Sequence, residues 1–353
     1  MGFAATSSQT AKTDPVAVDS DGGGAPDFLS AVAALRALTA RDLEAVNAEI
    51  LARMQSPVEM IPEMAGHLIN AGGKRIRPML TLASARLLDY DGRHHVELAA
   101  AVELIHGATL LHDDVVDASV LRRGAKTANI IWGNKESVLV GDFIFSRAFE
   151  LMVAAKDLRV LEVLSRASSV IAEGEVLQLA TQKNIDATFE MYLAVVEAKT
   201  AALFAAAAQA GALIAGASKA QETALRDYGR NLGIAYQLVD DALDYAGVEG
   251  ALGKSVGDDF REGKMTLPVV YAVARARAEE KPFWRRVIVE GRAEAEDFEQ
   301  ARMLMERDDA IADTIACAKD YAAAAMENLS EVPQTDYTAA LSDLVESSVS
   351  RAF

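Results

Sequence analysis

The chain is poor in cysteine, in aromatics and in positive charge, and each shortage excludes something. A single cysteine, Cys317, rules out a disulfide within the 353-residue chain. It lies in an Ala-rich stretch with helical spacing, where it reads as a small core residue and not as a nucleophile, and such cysteine use fits a reducing, cytoplasmic setting. Aromatic residues make up only 6% of the chain, and strict apolar–polar alternation is scarce, so few segments are suited to strands. Lys and Arg total 35 against 52 Asp and Glu, a net charge of −17. A polyanion such as DNA or RNA gains nothing from that balance, whereas divalent cations do. Long apolar runs are missing too. The stretch from Leu203 to Ala217 is broken by Gln209 and falls short of the ~20 residues a membrane span needs, so no such span is expected. The first residues lack the basic start and apolar run of a signal peptide, and Gly2 with Thr6 meets only the loose pattern for myristoylation.

What is present is helix-forming. Apolar residues are 51% of the chain, Ala is abundant, and they recur at spacings of three and four. Residues 1–26 are rich in Ser, Thr, Asp and Gly and are expected to be a disordered tail. Residues 27–353 are expected to form one all-α domain of about ten or more helices. Ser218 with Gln221 has the spacing of a capping box before a long helix ending near Tyr245. Asn134 is placed to cap a helix carrying Val138, Phe143 and Phe149, and Pro78 suits a first helical turn. Gly247 to Gly257 and Arg261 to Gly263 read as the main internal loop.

Two Asp-Asp-x-x-Asp motifs close apolar helices: Asp113, Asp114 and Asp117 in the first, Asp240, Asp241 and Asp244 in the second. Asp113 and Asp117 are four apart and share a helix face, with Asp114 about a third of a turn away. Clustered carboxylates repel one another, and at a helix C-terminus they also oppose the macrodipole. One such motif is as well explained by a solvated helix end; two with the same spacing suggest hard cations, magnesium above all, which favours sharing its shell with substrate phosphates. Basic residues supply an opposite half. Gly72-Gly73 leads into Lys74, Arg75 and Arg77 at a helix start, a good anion cradle in which Lys74 and Arg77 share a face. Arg122 and Arg123 follow the first motif, Lys199-Thr200 interrupts an apolar helix, and Lys254 and Lys264 sit in loop settings.

These pieces, GGKRIRP, ELIHGATLLHDDVVDASVLRRG, IWGNKESVLVGDFIFSRAF, IAEGEVLQL, KTAALF, LGIAYQLVDDALDY and GKSVGDDFREGKMTLP, run in order from about residue 60 to 270. Together they resemble the trans-polyprenyl diphosphate synthases of the isoprenyl synthase superfamily, and HDDVVD, GNKESVLVGD and GEVLQL resemble the long-chain group that makes quinone tails. The resemblance implies an all-α, single-domain helical bundle with a central cavity, working as a homodimer with Mg2+. It implies that Asp113, Asp117 and Asp240 bind metal, with Asp114, Asp241 and Asp244 in support. It further implies that Lys74, Arg77, His106 and Arg123 hold isopentenyl diphosphate, and that Arg122, Lys199, Thr200, Gln237, Lys254 and Lys264 serve the allylic diphosphate. Tyr236 stands where many relatives have Phe. No protein nucleophile is needed: cations ease the departure of diphosphate, a dry cavity shelters the allylic cation, and the leaving diphosphate can take the proton.

Product length is expected to be set beneath the first motif. Ala108 and Thr109 lie five and four residues before Asp113, about one turn or ~5 Å deeper, and their small size leaves the way open. Leu164 is the expected floor, and the expected product has eight to ten isoprene units, decaprenyl first. So apolar a product favours transient membrane contact at release. Rivals are weaker. A phosphohydrolase built on His112-Asp113 lacks histidines beyond the span His67 to His112. A terpene cyclase has less use for the cradle at Lys74 and Arg77, an inactive regulatory subunit would normally lack one of the two motifs, and a shorter-chain farnesyl or geranylgeranyl diphosphate synthase is the alternative in product.

Overall fold

The computed structural model describes residues 27–70, 72–122, 124–246, 257–294 and 296–351. The expected tail over residues 1–26, Arg123, Lys254 and most of the loop from Gly247 lie outside the described residues.

The chain enters through α1 (Phe28–Leu38), started by Asp27, whose carboxylate accepts from the Leu29 and Ser30 N–H groups. Then follow α2 (Ala40–Arg53), α3 (Met60–Asn70), α4 (Ile76–Arg86) and α5 (His94–Val116). The sheet content among the described residues is one antiparallel ribbon of two-residue strands, β1 (Leu121–Arg122) and β2 (Ala125–Lys126), directly after the first Asp motif. Next come α6 (Ala128–Ile131), α7 (Asn134–Ala154) and α8 (Leu158–Thr181). Helix α9 (Phe189–Val196) passes through a π-helical turn at Glu197–Ala201 into α10 (Ala202–Ile214), and α11 (Lys219–Leu243) carries the second motif. The remainder is α12 (Asp258–Arg261), α13 (Leu267–Arg275), α14 (Lys281–Trp284) with a π turn at Arg285–Val289, α15 (Asp297–Arg307), α16 (Ala310–Asn328) and α17 (Asp336–Ser350). The all-α expectation holds.

Ser218 and Gln221 do form a reciprocal capping box at the start of α11. Asn134 does not cap α7: it is the first helical residue, and Gly133 is the cap at φ 109. The chain turns there through a conformation that a side chain at Gly133 would resist, so glycine takes the position. The segment Arg261 to Gly263, expected as loop, contributes Arg261 to the short helix α12.

Helix α10 runs through the middle, packed on α4, α5, α8 and α11. Its Ala-rich faces let backbones approach closely, and Thr81 Oγ1 of α4 donates to the Ala207 carbonyl at 3.0 Å. The main core joins residues of α1, α2, α4, α5, α7, α8, α10, α11 and α17 around fully buried side chains such as Leu35, Leu80 and Phe204. A second cluster gathers Tyr245, Phe260 and Trp284, and a third, holding Tyr192, Leu238 and Leu267, ties α9 to α11 and α13. Taken as one rod, Phe189–Ile214 is long and apolar enough to cross a bilayer. This corrects the expectation that no apolar stretch is long enough, because α9 and the π-helical turn extend the apolar run of α10 towards its N-terminal side. Within the fold the rod is the central helix of the bundle.

Candidate active site

The two Asp motifs face one cavity of about 350 Å³. Helix α5 runs on to Val116, so Asp113 and Asp114 fall in its last turn and Asp117 is its C-cap, its N–H bonding to the Asp113 carbonyl at 2.8 Å. Asp113 and Asp117 line the cavity. Asp114, turned the other way, is 4% exposed. One of its oxygens takes both Nε and Nη2 of Arg122, at 2.9 and 2.7 Å, while its backbone carbonyl takes Asn129 Nδ2 at 3.0 Å. Asp114 therefore pins the ribbon to the end of α5.

On α11 every carboxylate of the motif already has a protein partner. Asp240 pairs with Arg351 at 2.8 Å. Asp241 is buried, accepting from the Tyr192 hydroxyl at 2.6 Å and from Gln237 Nε2 at 2.7 Å. Asp244 accepts the backbone N–H groups of Gly257 and Asp259, both at 3.2 Å. All three line the same cavity as Asp113 and Asp117.

Crowding shows in the acidities. Burial, strengthened by Glu175 and Asp117 and opposed by Lys199, pushes Asp113 up to about 6. Burial and the charge of Asp259 push Asp241 up to about 7, against the hydrogen bonds from Tyr192 and Gln237. The same two causes take Asp244 to about 7. Carboxyls raised this far ionise near neutral pH and not near 4, and a bound cation would favour their ionised forms. Lys264 pairs with Asp259 at 3.3 Å and Glu262 at 2.6 Å; burial alone would lower its pKa, and these anions raise it.

Lys199 and Thr200 reach the cavity from the π-helical turn, a distortion frequent at functional positions. Lys199 Nζ lies 2.7 Å from Glu175 and 3.9 Å from Asp113. Thr200 Oγ1 donates to Gln237 Oε1 at 3.0 Å, so Thr200, Gln237, Asp241 and Tyr192 form one hydrogen-bonded chain. The expected cradle is partly assembled around the same opening. Arg77 and His106 line it, with Arg77 Nη1 3.2 Å from His106 Nε2 and its guanidinium over the Phe204 ring. Lys74 is not on the cavity lining; its ammonium sits over the Phe28 ring at 4.5 Å and 3.4 Å from the Tyr236 hydroxyl. Arg75, in the left-handed region, turns away to pair with Glu103. Beneath Asp113 the wall is Thr109, Leu110 and Ile171. Ala108 and Leu164 are both fully buried behind it and do not line the cavity as it stands.

Three site residues escaped the sequence reading. Arg351, just past α17, carries no motif; only the docking of the C-terminal helix on α11 brings it to Asp240, stacked 4.1 Å over the Tyr236 ring. Glu175 lay inside the quoted IAEGEVLQL without being singled out. Tyr192 had a readable signal, lying seven residues before Lys199 and thus near the same helical face.

Among the described residues, no three His, Cys, Asp or Glu side chains converge closely enough to hold a metal by themselves. A hard divalent cation that takes one or two carboxylates plus substrate phosphates fits such a donor set. Asp113 and Asp117 on one wall and Asp240 on the other offer such oxygens, and their neighbours Lys199, Arg77 and His106 offer the matching grip on phosphate.

A helical bundle with two carboxylate walls, a basic rim and an apolar floor around one cavity defines a diphosphate-handling prenyltransferase. The comparisons agree. The polyprenyl synthetase family profile matches residues 58–305. The octaprenyl diphosphate synthase of Escherichia coli (strain K12) is 51% identical over 254 residues, 72% of this chain and 79% of that protein. The crystal structure of a polyprenyl synthase from Caulobacter crescentus CB15, complexed with calcium and isoprenyl diphosphate, superposes with a TM-score of 0.87 at 53% identity, covering 90% of this chain and 97% of that one. That of a decaprenyl diphosphate synthase from Rhodobacter capsulatus gives 0.88 at 50% identity, covering 91% and 99%. The chain belongs to the polyprenyl synthetase family, on its long-chain side.

Proposed function

We propose that the chain extends an allylic diphosphate with isopentenyl diphosphate units to a product of eight to ten isoprene units, decaprenyl diphosphate first among them, as a quinone side-chain precursor. The observation that carries this is the pair of Asp motifs facing one cavity above the apolar wall of Thr109, Leu110 and Ile171. Decaprenyl draws support from the Rhodobacter capsulatus enzyme, 50% identical over 99% of that chain, and the 51% identical Escherichia coli octaprenyl diphosphate synthase, covered to 79%, keeps eight units within the range.

Asp113, Asp117 and Asp240 would hold magnesium, with Asp114, Asp241 and Asp244 fixing the helix ends around them. Calcium in the Caulobacter crescentus structure supports a hard divalent ion of this kind. Bound there, magnesium would neutralise the diphosphate and make it a better leaving group. Lys199, Thr200, Gln237 and Arg122 hold and orient the allylic diphosphate, joined by Lys264 and Lys254. Lys74, Arg77, His106 and Arg123 hold isopentenyl diphosphate so that its double bond reaches the allylic carbon. Leu110, Ile171, Val195 and Val196 keep water from the cation, and the departing diphosphate accepts the proton.

The chain would grow downward along the wall at Thr109, in front of Ala108, towards the buried Leu164. Exposed Ile130, Ile131, Leu139 and Val153 on α6 and α7 favour a homodimer that covers them. Residues 27–353 serve as one catalytic domain behind the 1–26 tail. The site works in the cytoplasm, with brief membrane contact at release, since each methylene is worth ~0.8 kcal/mol out of water.

The test is incubation with farnesyl diphosphate, radiolabelled isopentenyl diphosphate and magnesium, followed by extraction and sizing against polyprenol standards. Label in a forty- to fifty-carbon fraction is expected. No extractable product would reject the activity, and a product of twenty to thirty-five carbons would reject the chain length alone.

A further inference from the structure

Glu175 belongs to none of the Asp motifs or basic segments, yet it stands inside the site. It projects from α8 into the cavity, its Oε2 2.7 Å from Lys199 Nζ, and its Oε1 is buried with no hydrogen-bond partner among the described residues. The residue before it explains how α8 comes so near. A Cβ at Gly174 would sit 2.7 Å from the Ala198 Cβ and 3.0 Å from the Lys199 backbone nitrogen. Only glycine admits the π-helical turn to this distance. Gly174 brings the Lys199 backbone against α8, and Glu175, the next residue, takes the Lys199 side chain.

Lys199 has two acidic neighbours, Glu175 at 2.7 Å and Asp113 at 3.9 Å. The shorter contact is a hydrogen-bonded ion pair, and the longer is charge proximity only. Without Glu175 the ammonium would settle on Asp113, blocking a carboxylate of the first motif and leaving its place over the cavity.

We propose that Glu175 is a positioning residue that holds the Lys199 ammonium beside Asp113 but off it, so that Lys199 meets the allylic diphosphate and Asp113 stays open to a cation. The inference rests on the allylic-diphosphate role given to Lys199 above. Glu175 acts through its acceptor oxygen, so glutamine, which keeps an acceptor of the same reach, can substitute while alanine cannot.

The test is calorimetric binding of farnesyl S-thiolodiphosphate, an analogue that resists ionisation, with magnesium present, together with steady-state constants. Glu175→Ala is expected to weaken analogue binding about tenfold (~1.4 kcal/mol) and to raise the KM for the allylic substrate similarly. The KM for isopentenyl diphosphate stays within about twofold, and Glu175→Gln stays within about threefold of the parent in analogue binding. In a Lys199→Ala background, Glu175→Gln and Glu175→Ala should add no further loss, because the residue has nothing left to position. Parental binding by Glu175→Ala, equal losses for Ala and Gln, or full additivity with Lys199→Ala would each overturn the proposal. If Glu175→Ala does not fold, Glu175→Leu, of similar volume but with no acceptor, takes its place in the cycle with Lys199→Ala under the same criterion. Failure of the parent protein to bind the analogue would instead sink the reading of the site, and Glu175's role with it.

Discussion

The two Asp motifs share one spacing but not one condition. On α5, Asp113 and Asp117 face the cavity, with Lys199 3.9 Å from Asp113, and Asp114, pointing the other way, is tied to Arg122. On α11, all three carboxylates are engaged: Asp240 by Arg351, Asp241 by Tyr192 and Gln237, Asp244 by backbone N–H groups. The first motif is open to a cation as it stands. On the second, Arg351 already takes Oδ1 of Asp240, so a cation arriving there competes with it. A repeated sequence pattern thus encodes one ready wall and one held wall, and the difference comes from what the rest of the chain packs against each.

The largest expected effect breaks the ready wall. Asp113→Ala should lower kcat about 10³-fold while the far-ultraviolet circular dichroism stays helical, because it removes charge that works only on the reacting diphosphate. Near-normal turnover would refute a metal role for α5. Its neighbour should behave differently. Asp114→Asn should cost about 2 kcal/mol of stability by weakening the buried pair with Arg122, measured by denaturant unfolding, with activity reduced less than about tenfold. If Asp114→Asn matched Asp113→Ala in turnover and left stability intact, the division of labour within the motif would be wrong.

The smallest effect concerns acidity. Asp113 stands near 6 and Asp241 and Asp244 near 7, all above the ordinary carboxyl value of 3.8. A raised carboxyl keeps its proton in the folded chain where the unfolded chain would release it, so its contribution is full below about pH 4 and lost as pH rises through 6 to 7. These three groups should therefore lower the Tm of the metal-free protein at pH 8 relative to pH 6. Magnesium, which favours the ionised form of Asp113 and, through its charge, of the carboxyls beside it, should raise Tm more at pH 8 than at pH 6. Equal shifts at both pH values would mean that proton release from this cluster is not coupled to magnesium binding.

Much of this was legible in the residues. The 3.6-residue spacing marked the helices, the capping box at Ser218 started α11 as expected, and the four-residue step from Asp113 to Asp117 put both on the cavity. Asn134 misled because a good capping side chain was outweighed by Gly133, whose backbone freedom the turn requires. The π-helical turn at Glu197–Ala201 left no mark in a run of apolar and small residues, yet it is what delivers Lys199 and Thr200. Arg351 lies 111 residues beyond Asp240, and no local pattern can announce a partner that only tertiary packing supplies. Ala108 read as a pocket residue from its depth below Asp113; its rotation around α5 puts Thr109 on the wall and Ala108 behind it.

The most direct measurement is a crystal structure of the protein with manganese and farnesyl S-thiolodiphosphate, the ions located by their anomalous scattering. One diphosphate bridged by ions bound to Asp113 and Asp117 on one side and to Asp240 on the other, with Arg351 moved off Asp240, is the predicted result. Ions confined to a single motif, or a diphosphate bound away from both, would contradict the account.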